Sequence, residues 1–277
     1  MNRTFNCGCE LDYQVTSEST FIFNVAVAKT ENHQIITENL ELTPQLPSEE
    51  FVSPMVNNRY LKVNVPPGQF KLKYQAQVKV SYLDIDPNEI IEVPPKDLPI
   101  NILQYINPSR YCESDRLFRF AQSEFGDLQS GYSKVTAICN WIYDHVTYIS
   151  GSTDAQTSAF NTVTERAGVC RDFAHLGAAL CRALNIPARF AAGYAYDLVP
   201  RDFHAYFEAY LGGRWYLFDA TRLAPLEGLI RIGTGRDAAD ISFATIFGAV
   251  TMDKMQLFVD ALDQDKPEAT TEAISPA

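Results

Sequence analysis

The sequence predicts an α+β protein: an N-terminal antiparallel β-sandwich-like domain, then a region that mixes helices with strands. Three observations predict it. Apolar residues recur at every second position up to about residue 83, prolines cluster over 84–101, and beyond residue 114 the apolar spacing becomes helical.

In the first region Phe21, Phe23, Val25 and Val27 alternate with Ile22, Asn24, Ala26 and Ala28. Leu61, Val63 and Val65 keep that period, as do Phe70, Leu72 and Tyr74, then Val78, Val80 and Tyr82. Pro66-Pro67-Gly68 lies between two of these runs as a turn. Four or five short strands over 9–83, with no helical stretch, predict a small sandwich. Pro87, Pro94, Pro95 and Pro99 then mark a linker, and the domain boundary is expected near residue 100.

Ser114 reads as the N-cap of a helix carrying Leu117, Phe120, Ala121 and Phe125, and Ser133 as the cap of a second with Val135, Ile138, Ile142 and Val146. A third spans about 169–184, with Phe173, Leu176, Leu180 and Leu184 inward, and Asn185-Ile186-Pro187 ends it. Strands are expected at 188–196 and around 203–220. The expected units are therefore 1–100, 101–262, and a disordered acidic tail at 263–277.

Composition narrows the classes of function. With 277 residues, 46 % hydrophobic and 21 % charged, the chain can bury a core and is not globally disordered. A formal net charge of −11 opposes binding to phosphate backbones, so no nucleic-acid partner is expected. No run approaches the roughly 18 apolar residues that span a bilayer, and the first residues lack the pattern of a signal peptide. Six cysteines are too sparse for a disulfide scaffold at this length. The expectation is a soluble cytoplasmic protein without a membrane partner; the sequence leaves the oligomeric state open.

The segment richest in chemistry is Gly168-Val169-Cys170-Arg171-Asp172-Phe173. It places Cys170 at or just inside the start of the third helix, where unpaired N–H groups and the positive end of the dipole favour thiolate, the nucleophilic form. An inert buried cysteine is the plainer reading of that position taken alone. Further on, Gly212-Gly213 separates two aromatic-rich runs, His204 to Leu211 and Arg214 to Asp219, which is a hairpin signal. With the glycines as a two-residue loop, Leu211 lies opposite Arg214, Tyr206 opposite Asp219 and His204 opposite Thr221. His204, Tyr206, Asp219 and Thr221 then share one face, with His204 and Asp219 as diagonal neighbours roughly 7 Å apart. A three-residue loop would put them on opposite faces.

A cysteine at a helix start, then a histidine, then an aspartate after a hairpin is the order found in the transglutaminase-like family. Gly-Val-Cys170-Arg-Asp-Phe-Ala-His-Leu followed by Ala-Leu-Cys181-Arg-Ala-Leu-Asn-Ile-Pro-Ala-Arg resembles the nucleophile helix of its bacterial branch. His204-Ala-Tyr-Phe-Glu-Ala-Tyr and Arg-Trp-Tyr-Leu-Phe-Asp219-Ala-Thr resemble the family's His and Asp strands, and Pro108 to Asp115 its lead-in. The likeness is close over 105–225 and looser before that. It implies a papain-like transglutaminase core, with the nucleophile helix packed on an antiparallel sheet, Cys170 as nucleophile, His204 as base and Asp219 as orienter. Family members cleave or transfer acyl groups at amide bonds; animal relatives crosslink glutamine to lysine, and many bacterial relatives are named as cysteine proteases. Two departures stand out. Val169 and Arg171 flank the cysteine where animal enzymes usually have Gln and Trp, and Asp219-Ala220-Thr221-Arg222 stands where Asp-Pro-Thr-Asn is frequent. Arg222 reads first as a surface ion pair, second as a contact for an anionic substrate group.

Other residues carry less. His175 lies about 140° around the helix from Cys170 and cannot serve that thiol locally. Cys181 reads as a core thiol and Asp172 as a first-turn acid; the Cys170 backbone N–H is the first oxyanion donor expected, and Trp141 and Tyr148 are candidates for the second only in that they precede the nucleophile, Trp141 reading first as core packing. Cys7-Gly8-Cys9 lacks a second ligand pair with zinc spacing, Gly233-Thr234-Gly235 lacks the rest of a P-loop, and no Gly-x-Ser-x-Gly elbow is present, so neither metal nor cofactor is expected. Three hypotheses remain. They are thiol-dependent hydrolysis of peptide or protein amides, amine acyl transfer from the same acyl-enzyme, and a non-catalytic binding module that keeps the triad as a relic.

Overall fold

Period-two burial builds the first half of the molecule. In the computed structural model, which describes residues 1–129, 131–270 and 272–276, the opening strands are β1 (Asn2–Val15), β2 (Ser19–Phe23), β3 (His33–Thr43), β4 (Ser48–Val52), β5 (Arg59–Val65), β6 (Gly68–Ser81) and β7 (Leu83–Ile85). Along β1, Phe5, Cys7, Cys9, Leu11, Tyr13 and Val15 all point inward and are buried. Cys7 and Cys9 are thus core positions of a strand, and burial pushes the Cys9 thiol up to about 12. The proline-rich stretch forms short 3-10 turns at Pro87–Glu89, Pro95–Asp97 and Ile100–Tyr105.

Helical spacing then gives α1 (Ser114–Phe125) and α2 (Tyr132–His145), followed by the short β8 (Thr147–Tyr148), α3 (Ala159–Glu165) and β9 (Ala167–Gly168). Ser114 and Ser133 fall inside their helices rather than at the caps, a shift of one or two residues. The third predicted helix is α4 (Cys170–Ala183), capped by Val169 and Leu184. After it come β10 (Ala188–Ala195), β11 (His204–Leu211), β12 (Arg214–Phe218), β13 (Leu229–Gly235), β14 (Ala244–Phe247), β15 (Val250–Ala261) and β16 (Ala273–Ser275).

The predicted α+β class is what the chain adopts, in three layers. A four-stranded antiparallel sheet, β12-β11-β10-β13, lies in the middle. One face, through Ala188, Phe190, Phe207, Ala209 and Phe218, shares a hydrophobic cluster with α4 and the helices around it. The other, through Ala191, Tyr194, Tyr206, Leu217 and Ile230, joins the core of the sandwich. Burial on both faces explains why every residue of β11 is buried. The helix approaches the sheet tightly at Gly177 of α4: a Cβ there would lie 2.4 Å from the Phe207 ring, so the position needs glycine for this packing.

Two expectations need correcting. The unit expected at 101–262 does not keep its last strands. β15 pairs with β1 to extend the sheet β15-β1-β6-β3, and β14 pairs with β2 to extend β14-β2-β5-β4. The sandwich is thus completed from far along the chain, because the open edges of β1 and β2 need partners. The tail expected to be disordered is tied down instead. Thr4 N–H donates to Asp263 at 2.6 Å, Arg3 to the Asp265 carbonyl at 2.6 Å, and β16 pairs with β7. Ala273 and Ile274, apolar residues at the end of an acidic stretch, are fully buried. Thr271 and Ala277 lie outside the described residues. Among the described residues no helix is long and apolar enough to cross a membrane.

Candidate active site

Cys170 is the first residue of α4, preceded by Val169 in extended conformation. Asp172 locks this start. Its Oδ2 accepts the Val169 N–H at 2.9 Å, tying back one of the free donors of the first turn, and accepts the Thr153 hydroxyl at 2.8 Å. Arg171 Nη2 lies 3.1 Å from Oδ1 and also donates to the Asp154 carbonyl at 2.6 Å. Asp172 is fully buried and acts as the first-turn acid that the sequence suggested. Gly168 makes room for it, since a Cβ there would meet the Asp172 Cβ at 2.8 Å.

The hairpin has the register that the Gly-Gly loop predicts. Leu211 pairs with Arg214 and Phe207 with Phe218, so His204 and Asp219 share a face. His204 Nε2 lies 2.7 Å from Asp219 Oδ2, and both side chains are buried. The other carboxylate oxygen, Oδ1, accepts the Thr221 N–H at 2.9 Å and the Thr221 hydroxyl at 2.7 Å. Asp219 is therefore aimed by a turn residue just beyond β12. The half-buried Cys170 thiol adjoins the same imidazole. With Nε2 given to Asp219, Nδ1 is the ring nitrogen left for the thiol. Burial alone would lower the His204 pKa, but the charge and hydrogen bond of Asp219, with Cys170 added, push it up to about 10. The ring is a cation across the neutral range.

Tyr148, which the sequence offers as a second oxyanion donor only because it precedes the nucleophile, lies beside the thiol. β8 runs parallel to β9 with Tyr148 opposite Gly168, two positions before Cys170, and the Ile149 N–H donates to the Gly168 carbonyl at 3.0 Å. This pairing brings the phenol to the thiol. Its hydroxyl lies against both the backbone N–H and the side chain of Cys170, and burial, then Cys170, raises it to about 12, so it stays a protonated donor. The only sequence signal was an aromatic in a two-residue strand, too short for periodicity to register. Trp141 instead stacks on His145 at 4.5 Å and packs edge-on against Phe120. His175 is buried, stacked on Tyr111, and accepts the Ala238 N–H at 3.1 Å; burial holds it neutral. Arg222 meets no carboxylate among the described residues, contrary to the ion pair expected first. It donates to Asn140 at 2.5 Å and covers the Tyr143 ring. Among the described residues no group of three His, Cys, Asp or Glu is arranged to hold a metal ion.

Comparisons with known proteins bear on the family and the fold. The family model described as the transglutaminase-like superfamily core matches residues 119–220, and that described as the bacterial transglutaminase N-terminal domain matches 3–100. A crystal structure from Cytophaga hutchinsonii, titled "putative cysteine protease", is 48 % identical over 99 % of this chain and 98 % of its own, with a TM-score of 0.97. An uncharacterised protein of Mycobacterium leprae is 32 % identical over 117 residues, 39 % of this chain and 42 % of that protein. One of Mycobacterium tuberculosis is 34 % identical over 151 residues, 49 % of this chain and 48 % of that protein. The matches thus span less than half the length of these curated relatives. The chain belongs to the transglutaminase-like superfamily and carries the N-terminal domain of its bacterial transglutaminases.

Proposed function

We propose that the chain hydrolyses amide bonds of peptide or protein substrates through an acyl-enzyme on Cys170, with His204 as general base and Asp219 as its orienter. The observation that carries this reading is the 2.7 Å contact between Asp219 and an imidazole whose other side meets the thiol. The thiolate is the attacking form, with the imidazolium of His204 beside it. The thiolate sulfur attacks the carbonyl carbon, and the electron pair of the C=O bond moves onto oxygen. The Cys170 N–H and the Tyr148 hydroxyl are the donors assigned to that oxyanion, a reading supported by the hydroxyl lying against Cys170. As the tetrahedral adduct collapses, His204 gives its proton to the departing amine. It then takes a proton from water, whose oxygen attacks the thioester; the C–S bond breaks, releasing the carboxylic acid and leaving the thiolate beside the imidazolium. Asp219 holds the ring in one orientation and stabilises its cation throughout.

Water or an amine can resolve the same thioester. Val169 and Arg171 beside the nucleophile depart from the animal crosslinking enzymes, which favours water. We place the reaction in the cytoplasm, a reading supported by all six cysteines being free.

The test is mass spectrometry of products from a peptide-amide library, with and without a primary amine, using the wild-type chain and Cys170→Ala. Free carboxylate products that disappear in the variant are expected. Unchanged turnover in Cys170→Ala overturns the reading, and amine adducts in place of carboxylates convert it to acyl transfer.

A further inference from the structure

Tyr148 reaches the nucleophile from a segment that the core does not hold. The chain leaves the core at Val146 and re-enters it at Ser158, and from 147 to 157 no residue is buried. A cavity of about 470 Å³ runs along this segment, with Ser152, Thr153, Asp154, Gln156 and Thr157 among its walls. Bonds rather than apolar packing must therefore fix its position.

At its start those bonds are the short pairing of β8 with β9. The Thr147 N–H donates to the Arg166 carbonyl at 2.9 Å and the Ile149 N–H to the Gly168 carbonyl at 3.0 Å, while the Tyr148 ring tilts against Phe173 at 5.8 Å. A pairing of two residues is marginal by itself. Further on, two ties run to the first turn of α4. Arg171, next to the nucleophile, donates from Nη2 both to Asp172 Oδ1 at 3.1 Å and to the Asp154 carbonyl at 2.6 Å, with Nε 3.3 Å from the same Oδ1. The Thr153 hydroxyl donates to Asp172 Oδ2 at 2.8 Å. Asp154 is itself fixed by its own turn, since its Oδ1 accepts the Gln156 N–H at 2.8 Å and the Thr157 N–H at 3.1 Å. The Tyr111 hydroxyl adds an exposed bond to the Ala155 carbonyl at 2.7 Å. Of these contacts the one through Arg171 is charge-assisted and rests on a fully buried carboxylate, which makes it the strongest.

We propose that Arg171 and Thr153 are positioning residues for the reaction of Cys170: they clip the 147–157 segment to the start of α4 and so hold the Tyr148 hydroxyl at the sulfur. The proposal rests on the roles assigned above to Cys170 and Tyr148. It also gives Arg171, one of the departures from the animal enzymes, a task at the site.

The experiment is a double-variant cycle on the full chain, with Arg171→Ala and Tyr148→Phe made singly and together. It is read by the rate at which iodoacetamide labels Cys170 at neutral pH, and by kcat and KM on a peptide amide. Labelling needs no substrate, so it tests the clip whether or not the chain hydrolyses amides. A phenol that donates to the sulfur favours thiolate, so Tyr148→Phe should slow labelling about threefold to tenfold, with Arg171→Ala slowing it too and the double variant no slower than Tyr148→Phe. In turnover, kcat should fall about 10²-fold in Tyr148→Phe and about tenfold in Arg171→Ala, with KM unchanged and again no further loss in the double variant. A direct effect of the Arg171 charge on the thiol would persist in the Tyr148→Phe background, so losses that multiply overturn the proposal, as does unchanged labelling in Arg171→Ala. Thr153→Val cuts the other tie and keeps Asp172 paired with Arg171, so it carries the same cycle where Arg171→Ala does not fold. It should slow labelling about twofold with Tyr148 in place and not at all in the Tyr148→Phe background; no slowing in either overturns the proposal. Unchanged turnover in Cys170→Ala, by contrast, overturns the hydrolytic reading and leaves the labelling result standing.

Discussion

β11 presents two ionic clusters on one face, and they are built to opposite rules. At its start His204 meets one carboxylate that is itself held by Thr221, so charge and hydrogen bonds balance. Further along, Glu208 is shared by two guanidinium groups, those of Arg189 and Arg231. The first arrangement suits a group that must exchange a proton with a neighbouring thiol. The second fixes charge permanently, since arginine does not titrate in the working range. Burial is nearly the same in both, so what separates a proton-transfer site from a fixed-charge site here is the identity of the cation and the count of its partners.

The sharpest way to break this comparison is to neutralise each carboxylate in turn. Asp219→Asn keeps the shape and the acceptor for Thr221 but removes the charge facing His204. Turnover should fall by about 10³–10⁴-fold, the scale of a triad that loses its orienting carboxylate, while the thermal midpoint should be little changed near pH 10, where the stability that the pair contributes is already lost. Steady-state kinetics beside thermal unfolding reads both. Glu208→Gln should do the reverse. Two buried guanidinium groups lose their counter-charge, so stability should drop by about 3–5 kcal/mol in urea unfolding while turnover per folded molecule persists. If Glu208→Gln silenced a folded enzyme, the division between the clusters would fail.

A third variant asks how firmly the helix sets the first cluster. Gly177→Ala places a methyl group against the buried Phe207 ring, which has nowhere to go. Such overpacking costs about 1–3 kcal/mol, and the displacement of α4 should carry Cys170 away from His204. A loss of turnover of about tenfold to a hundredfold is expected, with labelling of Cys170 by a thiol reagent slowed in parallel. Stability lost without any change in labelling would mean that the helix start is held independently, by Asp172 and Thr153.

How far the sequence revealed these features follows from how local their causes are. The Gly212-Gly213 loop fixed the register of one hairpin, and that register put His204 and Asp219 together. The dipole and small residues before Cys170 located a helix start to within a residue. Tyr148 could be named only beside Trp141, with nothing to prefer it, because its position depends on a two-residue parallel pairing with Gly168, which has no periodicity of its own. The outer strands of the sandwich escaped for a related reason: β15 lies more than two hundred residues from β1 in sequence, and nothing in its composition names a partner. The tail was misjudged from its average charge, which concealed the buried Ala273 and Ile274.

The smallest expected effect is a difference in sign between two histidines. His204 has a folded pKa of about 10 against an unfolded value of about 6.5. The folded state binds more protons between those values, so the stability His204 contributes is full below about pH 6.5 and is lost as pH rises toward 10. Asp219 and Cys170 face the ring, and Asp202, two residues before it, adds to the same field. His33, buried in the sandwich with Nε2 accepting the Arg231 N–H, is pushed down to about 3 by burial and by Arg231. Its contribution is full above about pH 6.5 and is lost as pH falls toward 3. The two together place a stability maximum near pH 6.5, with the alkaline slope belonging to the catalytic cluster and the acid slope to a buried imidazole beside the arginine pair. Urea unfolding of wild type and Asp219→Asn between pH 5 and about 10 separates them. Asp219→Asn should flatten the alkaline limb and add to the acid one, because burial then keeps His204 neutral. An alkaline limb that survives in the variant would mean that the imidazolium is held by something other than Asp219, and the balanced pairing assigned to the start of β11 would be wrong.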